Sequence, residues 1–97
     1  MTICKIFASD IKIGILMGLL SLEEAKNRPI RIIASKLAKI CKFKRIPSED
    51  LDFICSPKIG LINSEKKGIV RYISLNEKGR NFAKILNELE GILKQNS

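Results

Sequence analysis

Apolar positions recur at two different periods along the chain, and the switch between them divides it. Between Asp10 and Leu22, Ile11, Ile15, Leu16, Leu19, Leu20 and Leu22 are spaced three to four apart, which predicts a helix. Ile13 and Met17 widen that stripe almost all round, so the helix needs cover on more than one side. Ser9 or Asp10 can accept from the free N–H groups of its first turn. Gly14 and Gly18 are small positions where another helix can come close. Pro29 then breaks the pattern and biases Arg28 toward extended backbone. "PIRI" (29–32) reads as a very short strand. "IIASKLAKICK" (32–42) predicts a second helix with Ile33, Leu37, Ile40 and Cys41 inward. Pro47 and the N-cap candidate Ser48 open a third, short helix with Leu51, Ile54 and Cys55 inward. Pro57 limits it, and Gly60 lets the chain leave with positive φ.

The period then changes to two. "LINSE", "KKG" and "IVRYISL" (61–75) are two β-prone runs around a short polar tip, a hairpin signal. Alternation puts Ile69, Arg71, Ile73 and Leu75 on one face, and Val70, Tyr72 and Ser74 on the other. Asn76 can cap a last helix that tolerates Gly79 in its first turn. There Phe82, Ile85 or Leu86, Leu89, and Ile92 or Leu93 make an amphipathic stripe. The opening "TICKIF" reads either as an extended arm or as a first helical turn.

With 97 residues the chain fits one domain, a core over 10–80 followed by a C-terminal helix over 81–95. The formal charge of +8 makes a polyanion the natural partner, set against a merely soluble lysine-rich surface. Its distribution is uneven: net +7 over residues 1–45, −3 over 46–57, +5 over 58–84 and −1 from 85 on. The three cysteines, Cys4, Cys41 and Cys55, lack metal-ligand spacing, and there is no histidine. No metal or other cofactor is expected. A reducing, cytoplasmic setting is expected, with Cys41 and Cys55 as small core residues. "IKIGILMGLLSL" is too short to span a bilayer, so no membrane partner is expected. No Ser/His or Cys/His couple, paired carboxylates or phosphate-cradling glycine loop points to catalysis, so an enzyme is not expected.

The predicted order is helix, short strand, helix, helix, hairpin, helix. "IASKLAK" resembles the second helix of winged helix-turn-helix domains. "SEDLDFICSPKIGLI" resembles their third, and "VRYISLNEKGR" resembles the second wing strand running into the last helix. This pattern is similar to MarR-, ArsR- and PadR-type and archaeal winged-helix regulators and covers about residues 10–93. The resemblance implies an α+β fold with a three-helix core, a two-stranded β-wing and a C-terminal helix. It further implies a DNA-binding transcriptional regulator from an archaeon or one of its viruses. Carried over by position, the third helix begins at Ser48 and the wing carries Lys66, Lys67 and Arg71.

The third helix departs from that pattern, because Glu49, Asp50 and Asp52 precede its first base, Lys58. Carboxylates near a phosphate array are repelled, although acids in a first turn also complement the helix dipole. Besides Ser48 at the start of the third helix and Lys58 beyond it, the expected duplex contacts therefore lie elsewhere: Arg28 and Arg31 by the short strand, Lys36, Lys39 and Lys42 on the second helix, Lys44 and Arg45 in the turn, and the wing. For the second-helix lysines a solvated helix face is an equal alternative. Phe82, Leu86, Leu89 and Leu93 form a seam for a homodimer. The alternative function is a winged-helix interaction module that docks a basic protein through Glu49, Asp50 and Asp52. A third is an RNA- or replication-associated domain.

Overall fold

A computed structural model describes residues 9–94, so the opening "TICKIF", Cys4 and residues 95–97 lie outside it. Among the described residues the fold is α+β, with four helices and a three-stranded antiparallel sheet. The helices are α1 (Asp10–Lys26), α2 (Ala34–Ile40), α3 (Ser48–Cys55) and α4 (Glu77–Lys94). The strands are β1 (Ile32–Ile33), β2 (Ile62–Lys67) and β3 (Val70–Leu75), in the order β1-β3-β2.

Helix α1 starts where Ser9 Oγ accepts from the Lys12 N–H at 3.2 Å. It ends at Asn27, which takes the left-handed conformation, φ 53°, two residues before Pro29. Its fully buried residues, Ile15, Leu16 and Leu19, join Leu37, Ile54 and Ile73 at the centre of the core. Gly14 and Gly18 are approached from within the same chain. A Cβ on Gly14 would stand 2.5 Å from the Phe43 ring, and one on Gly18 would stand 2.8 Å from Cys41 Sγ.

Helix α2 buries Leu37 and Ala38. Ala38 lies about 100° from Leu37 on one side of the axis and Ile40 about 60° away on the other. Turning inward on Ala38 leaves Ile40 54% exposed, against the sequence expectation. The strand expected at 29–32 forms at Ile32–Ile33, where Ile32 pairs with Ile73 and Ile33 with Tyr72. Ser48 is not a cap. The Pro47 carbonyl accepts from Asp50 and Leu51, so Ser48 is the first helical residue and makes no capping bond.

The hairpin register pairs Lys67 with Val70, leaving Gly68 and Ile69 as a two-residue turn. Gly68 has φ 62° and Ile69 does not have positive φ, the pattern in which glycine takes the first turn position. Ile69 is therefore at the tip and fully exposed, not on the inward strand face. Arg71, Ile73 and Leu75 do share the inward side, with Ile73 and Leu75 buried.

The start of α4 fastens the root of this hairpin. Asn76 Oδ1 accepts from the Gly79 N–H at 2.7 Å, while its side-chain amide donates to the Gly60 carbonyl at 2.6 Å. Lys78 Nζ donates to the Ile59 carbonyl at 2.8 Å. Gly79 is required there rather than tolerated. A Cβ would overlap the Leu61 carbonyl oxygen and stand 2.8 Å from the Leu61 carbonyl carbon.

Candidate nucleic-acid interface

Three elements converge on one cleft of about 360 Å³. The hairpin tip contributes Ile69, Val70 and Arg71, the start of α2 contributes Ser35, and the start of α3 contributes Ser48 and Leu51. Strand β3 packs on α2, and β2 packs on α3, which sets the tip between the two helix starts.

Of the predicted cations Arg71 lines this cleft, and the others fall into distinct groups. Lys36 and Lys39 are exposed on α2, opposite buried Leu37 and Ala38. The chain then reverses through Lys42, whose φ is 63°. The Phe43 N–H donates to the Ala38 carbonyl at 2.8 Å, closing the turn with a bond that skips back past the helix end. Glycine is the usual residue at such a left-handed position, and an L-residue there costs about 1–2 kcal/mol. The same turn presents Lys44 and Arg45, both exposed, immediately before α3.

On the hairpin, alternation separates residues that the sequence groups together. Lys66 lies opposite Arg71 and Lys67 opposite Val70, so the two lysines project from opposite faces. Lys66 shares its face with Arg71 and the inward Ile73. Lys67 shares the outer face with Glu65 and Tyr72, and its ammonium lies 3.7 Å from Glu65.

The acids of α3 are largely answered from within the chain. Asp50 pairs with Lys12 at 3.7 Å, and Asp52 with Arg71 at 2.8 Å. Lys12 also sits 4.3 Å above the Phe53 ring. Arg71 donates through Nε to Ser64 Oγ at 2.6 Å, so its guanidinium ties the hairpin to α3. Glu49, exposed at the helix start, has no ion-pair partner among the described residues.

The remaining predicted contacts do not join this group. Arg31 bonds Glu65 and stacks 4.4 Å over the Tyr72 ring on the outer hairpin face. Arg28 lines a separate hollow with Glu23, Glu24, Arg80 and Lys84. Lys58 is exposed in the turn beyond the far end of α3, about 12 Å along that helix from Ser48.

Both described cysteines are structural. Burial pushes the Cys55 thiol up, and Arg71 draws it only partly back. Burial likewise raises Cys41, whose Sγ lies 3.6 Å from the Gly14 carbonyl. Neutral thiols in such surroundings are poor nucleophiles.

One charged feature escaped the sequence reading. Glu23 is buried and takes two hydrogen bonds from Arg80, at 2.7 and 3.0 Å. That bond holds the Arg80 proton more tightly. Glu23 follows Leu16, Leu19 and Leu20 at helical spacing, so an acid inside the apolar stripe was the available signal. Its partner lies 57 residues away, beyond the reach of local pattern.

No family model, curated protein or solved structure matches the chain. No helix of the described residues is long and apolar enough to cross a membrane.

Proposed function

We propose that the chain is a winged helix-turn-helix protein that binds duplex DNA and acts as a transcriptional regulator. In this reading α1, α2 and α3 are the three-helix core and β2–β3 is the wing. The phosphate-contacting cations are Lys36, Lys39, Lys42, Lys44, Arg45 and Lys66. The observation that carries the reading is the pairing of Asp50 and Asp52 with Lys12 and Arg71. It removes most of the repulsion expected of α3, and it leaves those six cations with no acid partner among the described residues. Contacts of this kind position a protein on a duplex without reading its sequence.

Two further observations weigh against the rival readings. Docking a basic protein through α3 needs its carboxylates, and only Glu49 is without an internal partner. Single-strand recognition relies on aromatic faces for base stacking. Aromatic residues are 5% of the chain, and Arg31 already covers Tyr72.

The test compares Lys66→Glu with Lys67→Glu in gel-shift titrations on a random duplex. Lys66→Glu is expected to weaken binding strongly and Lys67→Glu much less, because they project from opposite faces. Equal effects, or none, would overturn the assignment of this face.

A further inference from the structure

Among the described residues, Ile69 is the one large apolar side chain that is fully exposed. The other exposed ones lie on helices and are partly covered: Ile40 on α2, and Ile85, Leu89, Ile92 and Leu93 on α4, none above 77%. Phe82 and Leu86, expected at a dimer seam, instead pack in the chain's own core. Folding gains nothing from an isoleucine at the hairpin tip. It is the second residue of a two-residue turn, a place that small polar residues usually fill. Nothing stands within 4 Å of the Cβ position at its neighbour Gly68. Strand β2, which leads to the tip, is exposed from Asn63 onward. The tip also borders the cleft that Ser35 and Ser48 line at the starts of α2 and α3.

We propose that Ile69 is an apolar wedge that enters a base step of the bound duplex and gives the protein its preference among sequences. The inference rests on the DNA-binding reading and adds to it what the cations lack, since phosphate contacts read no bases. On α3, Asp50 and Asp52 are held by Lys12 and Arg71 and do not reach for base edges. Ile69 has no hydrogen-bonding group in its side chain, so it senses only how readily two base pairs part. Burying a fully exposed isoleucine gains about what parting one step costs. The balance is therefore favourable at pyrimidine–purine steps such as TA, which unstack easily, and unfavourable in stiff A-tracts. Wedges of this kind act from the minor groove. Two strands about 4.8 Å apart, with their side chains, exceed a minor groove of about 6 Å, so entry of the tip opens the groove and bends the duplex. Lys66, on the strand that leads to the tip, holds a phosphate beside the opened step.

The test uses the full chain and two labelled duplexes of equal length and base composition, one carrying TA steps and the other the same A·T pairs as A-tracts. Anisotropy reads affinity, and energy transfer between dyes at the two ends reads the bend. The wild type is expected to bind the TA duplex about tenfold more tightly and to bend it. Ile69→Ser is expected to lose both the preference and the bend, while binding the A-tract duplex within about twofold of wild type. Ile69→Leu is expected to keep both. Neither substitution should move the thermal melt, because the side chain is fully exposed. Equal wild-type affinity for the two duplexes, an equal loss on both in Ile69→Ser, or an Ile69→Ser protein that still prefers and bends the TA duplex overturns the wedge and leaves DNA binding standing. A wild type that binds neither duplex at low salt overturns the DNA-binding reading and the wedge with it.

Discussion

Lys42 occupies a position that folding alone would give to glycine, which makes it a sharp probe. Its φ of 63° is the left-handed conformation, and the bond that closes the turn is made by backbone, from Phe43 to Ala38. Lys42→Gly keeps that bond and relieves about 1–2 kcal/mol of steric cost. The extra freedom of glycine in the unfolded chain returns about 0.5–1 kcal/mol of it. The net expectation is a stabilisation of about 0.5–1 kcal/mol, or roughly 2–8 °C in Tm for a domain of this size. In the proposed complex the same substitution removes one phosphate contact. The slope of log K against log salt should become shallower by about 0.9, and affinity at 0.1 M salt should fall roughly eightfold. Thermal melts and fluorescence anisotropy on a labelled duplex read both effects. Lys42→Ala is the control: it loses the same affinity without the stability gain. A Lys42→Gly protein that melts lower, or binds as tightly as wild type, would refute the argument that strain is kept here for binding.

Other substitutions probe the frame that holds the site. Gly79→Ala must push α4 off the Leu61 carbonyl and should cost about 2–4 kcal/mol, a Tm drop beyond about 10 °C, whereas Gly91→Ala, with nothing near its Cβ, should gain up to about 1 kcal/mol. Arg80→Ala strands the buried Glu23 carboxylate and should cost about 3 kcal/mol, whereas replacing both residues by leucine should be close to neutral in the same denaturant titration. Asp52→Asn frees Arg71 and removes a negative charge from α3. It should tighten duplex binding a few-fold at a stability cost under about 1 kcal/mol, since Asp52 is 69% exposed; weaker binding would contradict the role given to that pair.

The elements were legible because their signals are local. Helical spacing placed α1 and α4, the Asn76 cap formed as expected, and Gly60 took positive φ, 58°. What the sequence could not show was which charges meet. The pairing of Asp52 with Arg71 spans 19 residues and that of Arg31 with Glu65 spans 34, so both depend on tertiary placement. The hairpin register decided that Lys66 and Lys67 part company and that Ile69 caps the tip, and register shifts by one residue invert such assignments. Gly14, Gly18 and Gly79 could be seen as small positions, but only the fold reveals that Phe43, Cys41 and Leu61 are what approach them.

The most direct measurement is duplex affinity of the full chain as a function of salt, on a random sequence, by anisotropy. With the six proposed cations each neutralising a phosphate, log K should fall against log salt with a slope of about −5. A slope near zero, or no binding even at low salt, would contradict the assignment of these cations to DNA.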